Sequence, residues 1–320
     1  MAIMVVGSVA LDTVETPRGR RTGALGGACT YFSTAASLFS RVRMVGVVGT
    51  DFPEEYIGFL QGRDIDLEGL QVEEGKTFAW SGRYGEDMGD AETLSTELNL
   101  FAEFHPVVPE SYRTSPYVFL ANIDPQLQLE VLAQVEHPRL TALDSMNYWI
   151  DSQRDALTKA MSRVNLVVLN ETEVQMYSGE QNLVSAADAI LSLGPWAVVI
   201  KRGGEGSMLV TRGESLGQRV FVTPAYLLPS ITDPTGAGDT FAGGMMGYLA
   251  ETGDLSVRGL RQALVYGTIV ASHTVQGFSV DALCNLTRQD LVQRYNDHRR
   301  MTLYDTTSAP DTDWFDRSIV

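Results

Sequence analysis

A short run of small residues, Gly236-Ala237-Gly238, stands directly before Asp239, and an apolar stretch with helical spacing follows. Residues with little or no side chain can adopt unusual backbone angles and point successive N–H groups into one concavity. A helix that begins near Gly238 would add its first amides, which have no partner inside the helix. Such a concavity would bind a phosphate or stabilise the charge that develops on one. Asp239 would then accept the proton of an alcohol that attacks the phosphoryl group, and we expect it to stay ionised beside the helix N-terminus.

The same residues also suit a plain glycine-rich turn before a helix that is capped by an aspartate, because Asp is a common helix cap. Two better-known phosphate motifs do not apply. The sequence contains no G-x-x-x-x-G-K-[ST], and GAGDTF lacks the third glycine of the dinucleotide fingerprint. Gly243 and Gly247 continue the series of small residues, which favours close packing of this helix against a neighbour.

Short apolar runs that resemble buried strands alternate with stretches of helical periodicity. This alternation predicts an α/β fold with a mostly parallel sheet that is covered on both faces. In such sheets, ligands bind outside the carboxyl ends of the strands. The predicted strands are 3–6, 43–48, 117–121, 140–144, 165–169 and 197–201, and the predicted helices are 30–39, 126–135, 152–162 and 184–193.

Two segments, 13–23 and 72–107, break this alternation. The first is polar and rich in turn residues, and the second combines hairpin-like alternation with an acidic run. They form either a small β lid over the edge of the sheet or a pair of surface loops. We therefore expect an α/β core of residues 1–12, 24–71 and 108–302, a β lid of residues 13–23 and 72–107, and a C-terminal tail of residues 303–320. In that tail, Trp314 and Phe315 could dock onto the core.

The composition excludes several classes of protein. A formal charge of −16, without a cluster of Lys and Arg, argues against a nucleic-acid partner. Cys29 and Cys284 do not make a disulfide framework, and the sequence shows neither a signal peptide nor a membrane-spanning run. We therefore expect a cytoplasmic protein with no membrane partner. The four histidines lack ligand spacing, so we expect no histidine-based metal site.

The stretch DPTGAGDTFAGGMM, residues 233–246, resembles the second signature of the ribokinase-like, or PfkB, family of carbohydrate and nucleoside kinases. Further motifs follow in the family's order from Gly7 to about residue 295. The resemblance implies a ribokinase-like three-layer sandwich with a mostly parallel central sheet and a small β lid. It also implies phosphorylation of a hydroxyl group by ATP with Mg²⁺. The pattern of residues 270–280 is too weak to support a monovalent cation, and a homodimer through the lid is allowed but not required.

The resemblance assigns roles at the proposed phosphate site. Asp239 matches the catalytic base of the family, and Gly236, Ala237 and Gly238 match its anion hole. Asp144 and Asn147 lie where related kinases carry an acidic residue and an asparagine near the phosphate path, although the spacing here is loose.

Asp12, after the strand MVVGSVAL, matches an acidic residue that binds substrate hydroxyls, and a carboxylate can accept two such donors. Gly26 and Gly27 match the pair of glycines that lets the backbone approach the substrate and hinges the lid. Without the family, the same residues suit a polar strand end and a plain turn. Thr30 replaces an asparagine that touches the sugar in many sugar kinases, and the bulky Tyr31-Phe32 pair follows it.

Two further motifs match residues that bind the nucleotide and its magnesium in this family. Asn170 and Glu173 match the N-x-x-E motif of the family, with Asn170 on the phosphates and Glu173 on the magnesium and its waters. The same spacing is that of a helix capping box, and both functions are compatible. Lys201, Gly203 and Gly206 of KRGGEGS resemble the turn beside the nucleotide, although many members carry threonine in place of Lys201.

The sequence therefore predicts an ATP-dependent kinase whose acceptor is a sugar or a related small polyol. A nucleoside acceptor is the alternative within the family. A nucleotide- or sugar-binding regulator that has lost turnover is the alternative outside enzymes, and the presence of Asp239 argues against it.

Overall fold

A computed structural model of the chain describes residues 1–213 and 215–303, so Trp314 and Phe315 lie outside the described residues. The strands are β1 (Ile3–Val6), β2 (Ala10–Thr16), β3 (Gly19–Gly26), β4 (Val42–Gly49), β5 (Ile65–Glu73), β6 (Phe78–Arg83), β7 (Glu92–Glu97), β8 (Tyr117–Leu120), β9 (Leu140–Asp144), β10 (Leu166–Asn170), β11 (Ala197–Lys201), β12 (Ser207–Thr211) and β13 (Val220–Thr223). The helices are α1 (Ala28–Ala36), α2 (Glu54–Gly62), α3 (Glu110–Arg113), α4 (Pro125–Gln134), α5 (Asn147–Ser152), α6 (Arg154–Met161), α7 (Glu171–Ser178), α8 (Leu183–Leu191), α9 (Leu216–Arg219), α10 (Ala237–Thr252), α11 (Val257–Thr274), α12 (Asp281–Cys284) and α13 (Arg288–Thr302). Two short 3₁₀ helices cover Asn99–Glu103 and Gly203–Glu205.

The larger sheet has nine strands in the order β13-β12-β11-β10-β9-β8-β1-β4-β5. The seven strands β11, β10, β9, β8, β1, β4 and β5 pair in parallel. At one end of this sheet, β12 pairs antiparallel with β11, and β13 pairs antiparallel with β12. One apolar core lies on each face, with α1 and α10 on one side and α6 and α8 on the other. Because helices cover both faces, the central strands are continuously apolar, as predicted.

The predicted α/β alternation is confirmed. Strands 3–6, 140–144 and 197–201 have the predicted bounds, and the other predicted strands and helices occur with ends that shift by one to three residues. None of the helices within the described residues is both long and apolar enough to cross a membrane.

The smaller sheet has four strands in the order β3-β2-β6-β7. The expected lid segments 13–23 and 72–107 contribute to it, but β2 and β3 extend beyond the first segment to Ala10 and Gly26. The division into core, lid and tail stays a prediction. One placement was wrong: Asp12 does not follow the first core strand, because β1 ends at Val6 and Asp12 lies inside β2, paired with Ala24.

Helix α10 packs closely along α1, and two glycines permit this. A Cβ at Gly243 would overlap the carbonyl of Phe32, and one at Gly247 would lie 2.8 Å from the ring of Phe39. The small residues that follow Asp239 therefore serve helix packing, as the sequence predicted. This packing fixes the start of α10 beside the start of α1.

Candidate active site

Gly236 caps the N-terminus of α10 in the left-handed region of backbone space, with φ 72° and ψ 4°. A side chain at this position would be strained by that conformation. It would also collide with the ring of Tyr31, because a Cβ on Gly236 would overlap the ring carbons. The start of α10 is therefore held against α1 by a contact that only glycine allows.

The first amides of α10 are not equivalent. The N–H of Ala237 donates to the carbonyl of Pro234 at 3.2 Å, so it is already occupied. Within the part of the chain that the structure describes, the N–H groups of Gly238 and Asp239 donate to no other residue. The free donors that would meet an anion are therefore those of Gly238 and Asp239, with Ala237 shaping the turn.

The carboxyl group of Asp239 lies at the rim of this helix end and is half-buried. Burial raises its pKa to about 7, and the nearby Asp144 carboxylate also raises it, while Lys201 lowers it. Burial therefore opposes the ionisation that the helix N-terminus favours. A pKa near 7 suits a general base at neutral pH.

Sequence reasoning gave no role to Asp233 or Tyr84, and both stabilise the loop before α10. Buried Asp233 accepts hydrogen bonds from the backbone N–H of Thr235 at 2.8 Å and of Ser279 at 3.3 Å. The hydroxyl of Thr235 donates to the Tyr84 hydroxyl at 3.1 Å and so joins the small sheet to this loop. Asp233 opens the quoted motif and could have been found there, whereas Tyr84 carries no local signal.

The structure brings Asp12, Gly26 and Gly27 together. A Cβ on Gly26 would overlap the carboxylate of Asp12, and Gly27, with φ 89°, passes so close to the carbonyl of Ser8 that a side chain would collide with it. Burial raises the pKa of Asp12 to about 7, the Gly27 amide lowers it, and the nearby Asp233 and Asp239 carboxylates raise it. Asp12 therefore belongs to the same charged site as Asp239.

The bulky Tyr31 and Phe32 that follow Thr30 lie in different surroundings. Phe32 stacks on Phe119 in the core, with ring centroids 4.3 Å apart, so it does not line the site. Tyr31 packs under Gly236. Thr30 is fully buried, and its hydroxyl has no hydrogen-bond partner among the described residues. Its expected role as a substrate-binding residue stays a prediction.

Asn170 and Glu173 form the capping box that the sequence allowed. Asn170 N–H donates to Glu173 Oε2 and Glu173 N–H donates to Asn170 Oδ1, both at 2.7 Å. The Glu173 residue is 6% exposed, and burial raises the pKa of its carboxyl to about 7, with Lys201 lowering it and Asp144 raising it. The cap engages one carboxylate oxygen and leaves the other without a partner in this motif.

That second oxygen is the feature that fits a magnesium ion. Mg²⁺ prefers oxygen ligands and keeps several waters, so one carboxylate together with phosphate oxygens can hold it. No group of three or more His, Cys, Asp or Glu side chains within the described ranges could hold a metal alone. The residues therefore fit an ion that arrives with the nucleotide, not a dedicated protein cage.

A cavity of about 380 Å³ opens beside the start of α10. It is lined by Met88, Lys201, Gly203, Gly204, Gly206, Ala225, Tyr226, Leu227, Leu228, Ile231, Pro234, Ala237, Gly238, Phe241, Thr268, Ala271, Ser272 and Val275. Three residues predicted for the nucleotide, Lys201, Gly203 and Gly206, thus meet the anion-hole residues, whereas Asn170 and Glu173 are not among the lining residues. Gly206, with φ 98°, leaves no room for a side chain because a Cβ would overlap the Thr223 carbonyl.

Replacement of Glu173 by glutamine tests the magnesium assignment. The amide keeps an oxygen that can accept from Asn170 N–H, so the cap survives, but the carboxylate charge is lost. We expect the Mg²⁺ concentration for half-maximal activity to rise about 10–100-fold, the usual effect of losing a residue that supports a metal, with little change in acceptor KM. Magnesium titrations of initial rates measure this.

Glu171→Gln is the matched control, since Glu171 lies in the same first turn but pairs with Arg202 at 2.8 Å. If Glu173→Gln lowers only the melting temperature and leaves the magnesium curve in place, Glu173 is a helix cap and nothing more.

Comparison with known proteins places this chain in a family. Residues 2–288 match the family described as pfkB family carbohydrate kinase. A cytidine kinase of Thermococcus kodakarensis is 34% identical over 251 residues, which cover 77% of this chain and 88% of that protein. The nucleoside kinase structure of Methanocaldococcus jannaschii superposes with a TM-score of 0.74 at 20% identity, covering 93% of this chain and 98% of the other.

A structure described as a ribokinase II of E. coli in complex with ATP and Mg²⁺ superposes with a TM-score of 0.76 at 18% identity, covering 92% of this chain and 99% of the other. These likenesses confirm the ribokinase-like α/β fold. The chain therefore belongs to the pfkB family of carbohydrate kinases, whose members are phosphotransferases with a hydroxyl group as acceptor.

Proposed function

We propose that the protein transfers the γ-phosphoryl group of ATP to a hydroxyl group of a nucleoside, with Asp239 as the base. Two observations support a transfer site at the start of α10. Gly238 lines the cavity on one side. On the other side, Asp12 lies close enough for Asp239 to raise its pKa.

The cavity suits the donor nucleotide. Its walls are mostly apolar, as a site for a flat base should be. Lys201 and Gly238 are among its lining residues, so the triphosphate of a nucleotide bound in this cavity would reach the free amides of α10. Mg²⁺ bound to the phosphates would neutralise part of their charge there, beside the Glu173 carboxylate.

One feature favours a nucleoside over a simple sugar: the indole of Trp80 lies across Gly82 on β6. A Cβ on Gly82 would overlap the indole ring, and Trp80 Nε1 donates to Thr93 Oγ1 at 3.3 Å. Trp80 pairs with Asp12 in the ladder between β6 and β2, so both side chains project from the same face of the small sheet. An aromatic platform beside a hydroxyl-binding carboxylate suits a base joined to a ribose.

The chemistry at Asp239 follows from its surroundings. Its carboxylate accepts the proton of the acceptor hydroxyl as the oxygen attacks the phosphorus atom. The transition state is loose, so positioning and charge stabilisation carry most of the rate. The amides of Gly238 and Asp239 stabilise the transferred phosphoryl oxygens, and the small sheet, joined to the loop through Tyr84, excludes water that would hydrolyse ATP.

A sugar acceptor is the second candidate, and it was the first choice from the sequence. The paired glycines and Asp12 would bind the hydroxyl groups of a sugar without any contact to a nucleobase. A regulator without turnover is disfavoured, because the free carboxylate of Asp239 and the two free amides serve no structural contact.

Trp80→Leu distinguishes the two acceptors. Base stacking on an aromatic side chain contributes about 1–3 kcal/mol, so we expect the KM for a nucleoside to rise roughly 5- to 150-fold. The KM for a free sugar should hardly change. The measurement is ADP release with a panel of nucleosides, sugars and polyols at fixed ATP and Mg²⁺.

Trp80→Phe is the matched control, since it keeps an aromatic ring and should retain most of the nucleoside preference. If the wild-type protein phosphorylates free sugars better than any nucleoside, or if Trp80→Leu affects both acceptors equally, the nucleoside assignment is wrong. If no acceptor in the panel increases ADP release, the regulator alternative is favoured.

A further inference from the structure

Lys201 is largely shielded from solvent, whereas the other two lysines of the chain, Lys76 and Lys159, are exposed. It ends β11 and donates from Nζ to Asp144 Oδ2, at the end of β9, at 2.7 Å. The two side chains are 16% and 3% exposed. A buried ion pair is weak evidence for stability, because an apolar pair of similar size often stabilises a fold as well or better. The pair therefore invites a functional explanation.

The ammonium group of Lys201 lies beside the start of α10. Lys201 lines the nucleotide cavity, and its Nζ is 3.4 Å from the point where a Cβ of Gly238 would stand. Because Gly238 has no side chain, its own residue places no side-chain atom between the ammonium and the free amide. A phosphoryl oxygen at that amide would therefore lie within reach of Lys201.

The charges around Lys201 keep it protonated. Burial alone lowers its pKa, but the carboxylates of Asp144, Glu173 and Asp239 outweigh burial and raise the pKa above its usual range. The three carboxylates come from β9, α7 and α10, so the ammonium is the single cationic side chain that these described groups share. Without a cation there, their repulsion would oppose the approach of a triphosphate.

We propose that Lys201 stabilises the phosphoryl group during its transfer, and that Asp144 is the positioning residue that holds the ammonium in place. This inference rests on the proposed transfer site at Asp239, but not on which acceptor is used. It deepens the expected role of Lys201 in nucleotide binding, since it places the main effect on the transition state. An interaction of that kind changes kcat more than KM.

The step balances as an ordinary phosphoryl transfer. A bond forms between the acceptor oxygen and the γ-phosphorus, and the bond from that phosphorus to the bridging oxygen breaks. The bridging electron pair stays on ADP, and the acceptor proton goes to Asp239. Lys201 gives up no proton: its ammonium turns part of its hydrogen bonding from Asp144 to a phosphoryl oxygen and then back.

The competing explanation is structural, since the pair also ties β9 to β11 across β10. The two explanations differ in what they predict. An ion pair that only joins the two strands contributes to the free energy of unfolding and does not change kcat of the folded enzyme. A cation on the phosphoryl group affects the rate at saturating ATP.

The experiment compares Lys201→Met with Lys159→Met, an exposed lysine on α6. We expect Lys201→Met to lower kcat about 10²–10³-fold, the usual effect of losing one group that stabilises transition-state charge, with ATP KM changed only a few-fold. Lys159→Met should match the wild type. The slow hydrolysis of ATP without any acceptor should fall in Lys201→Met as well, so the result does not depend on the nucleoside assignment.

Two further variants keep the test informative. Asp144→Leu/Lys201→Met removes the pair without leaving an unpaired buried charge, and it secures folded protein if the single variant unfolds. Asp144→Asn should lower kcat in the wild-type background but have little further effect in Lys201→Met, because Asp144 acts through Lys201. If the folded double variant keeps the wild-type kcat, or if Lys201→Met raises only ATP KM, the proposal is wrong.

The pH profile gives an independent readout. Asp239 faces Lys201 and Asp144, with Asp12 and Glu173 nearby, and both the Lys201 ammonium and the backbone amide of Asp239 lower its pKa. Loss of the ammonium should therefore move the acidic limb of kcat/KM to higher pH. An acidic limb that stays in place in Lys201→Met would show that the ammonium does not act on the reacting groups.

Discussion

Replacement of Asp239 by asparagine is expected to lower kcat about 10²–10⁴-fold, the usual effect of losing a general base, with little change in ATP KM. Asparagine has almost the same shape and keeps the first turn of α10 intact, but it cannot accept a proton from the acceptor. The carboxylate has no other described hydrogen-bond donor than its own amide, so the substitution breaks no structural contact. Steady-state rates with both substrates varied measure the effect.

The pH dependence follows from the same carboxylate. A base must be ionised, and burial raises the pKa of Asp239 to about 7. We therefore expect kcat/KM to fall as the pH drops below about 7. Asp12 and Glu173 also have pKa values raised to about 7, and their protonation acts in the same direction.

Asp155→Asn is the matched control, because Asp155 is an exposed aspartate in the first turn of α6. It should alter stability slightly and leave turnover unchanged. Turnover within a few-fold of the wild type in Asp239→Asn would show that Asp239 is only an acidic residue in a helix turn, and it would remove the proposed mechanism.

Local motifs account for the part of the site that the sequence predicted. Gly236 to Asp239 are consecutive, so their meeting at one helix end depends on a single turn and on the periodicity that follows. Asn170 and Glu173 are likewise three residues apart and form the capping box that this spacing allows. The parallel sheet was predictable because apolar strands and amphipathic helices alternate along most of the chain.

Contacts between residues that are far apart in the sequence were predicted only in part. Asp12 was placed after the first core strand, but the chain leaves the large sheet after Val6, and Asp12 lies in β2 of the small sheet, next to the strand that ends at Gly26. Phe32 is an apolar residue that could line a pocket or lie in the core. Its stacking on Phe119, which the sequence does not reveal, places it in the core. No local sequence pattern predicts the contact between Trp80 and Thr93 or the ion pair between Lys201 and Asp144, because each joins two separate segments of the chain.

Loss of the Asp12 carboxylate is expected to raise the acceptor KM steeply. A hydrogen bond to a charged group contributes about 1.5–3 kcal/mol, which corresponds to roughly a 10- to 150-fold rise in KM for Asp12→Ala. ATP KM should change far less, because Asp12 is not among the residues that line the nucleotide cavity. If Asp12→Ala proves unstable, Asp12→Asn can replace it, because asparagine keeps the side chain's volume. We expect its effect on the acceptor KM to be similar but smaller.

Gly26→Ala tests the placement of Asp12 in the acceptor site while the Asp12 side chain itself stays unsubstituted. The new methyl group would occupy the space of the Asp12 carboxylate, which must move aside because it is the flexible partner in that contact. We expect Gly26→Ala to raise the acceptor KM as Asp12→Ala does, and the two substitutions together should raise it little further than either alone. Gly58→Ala is the control, since a Cβ on Gly58 of α2 meets nothing within 4 Å. A shift in ATP KM with an unchanged acceptor KM, in either variant, would place Asp12 on the nucleotide side and contradict the proposed acceptor pocket.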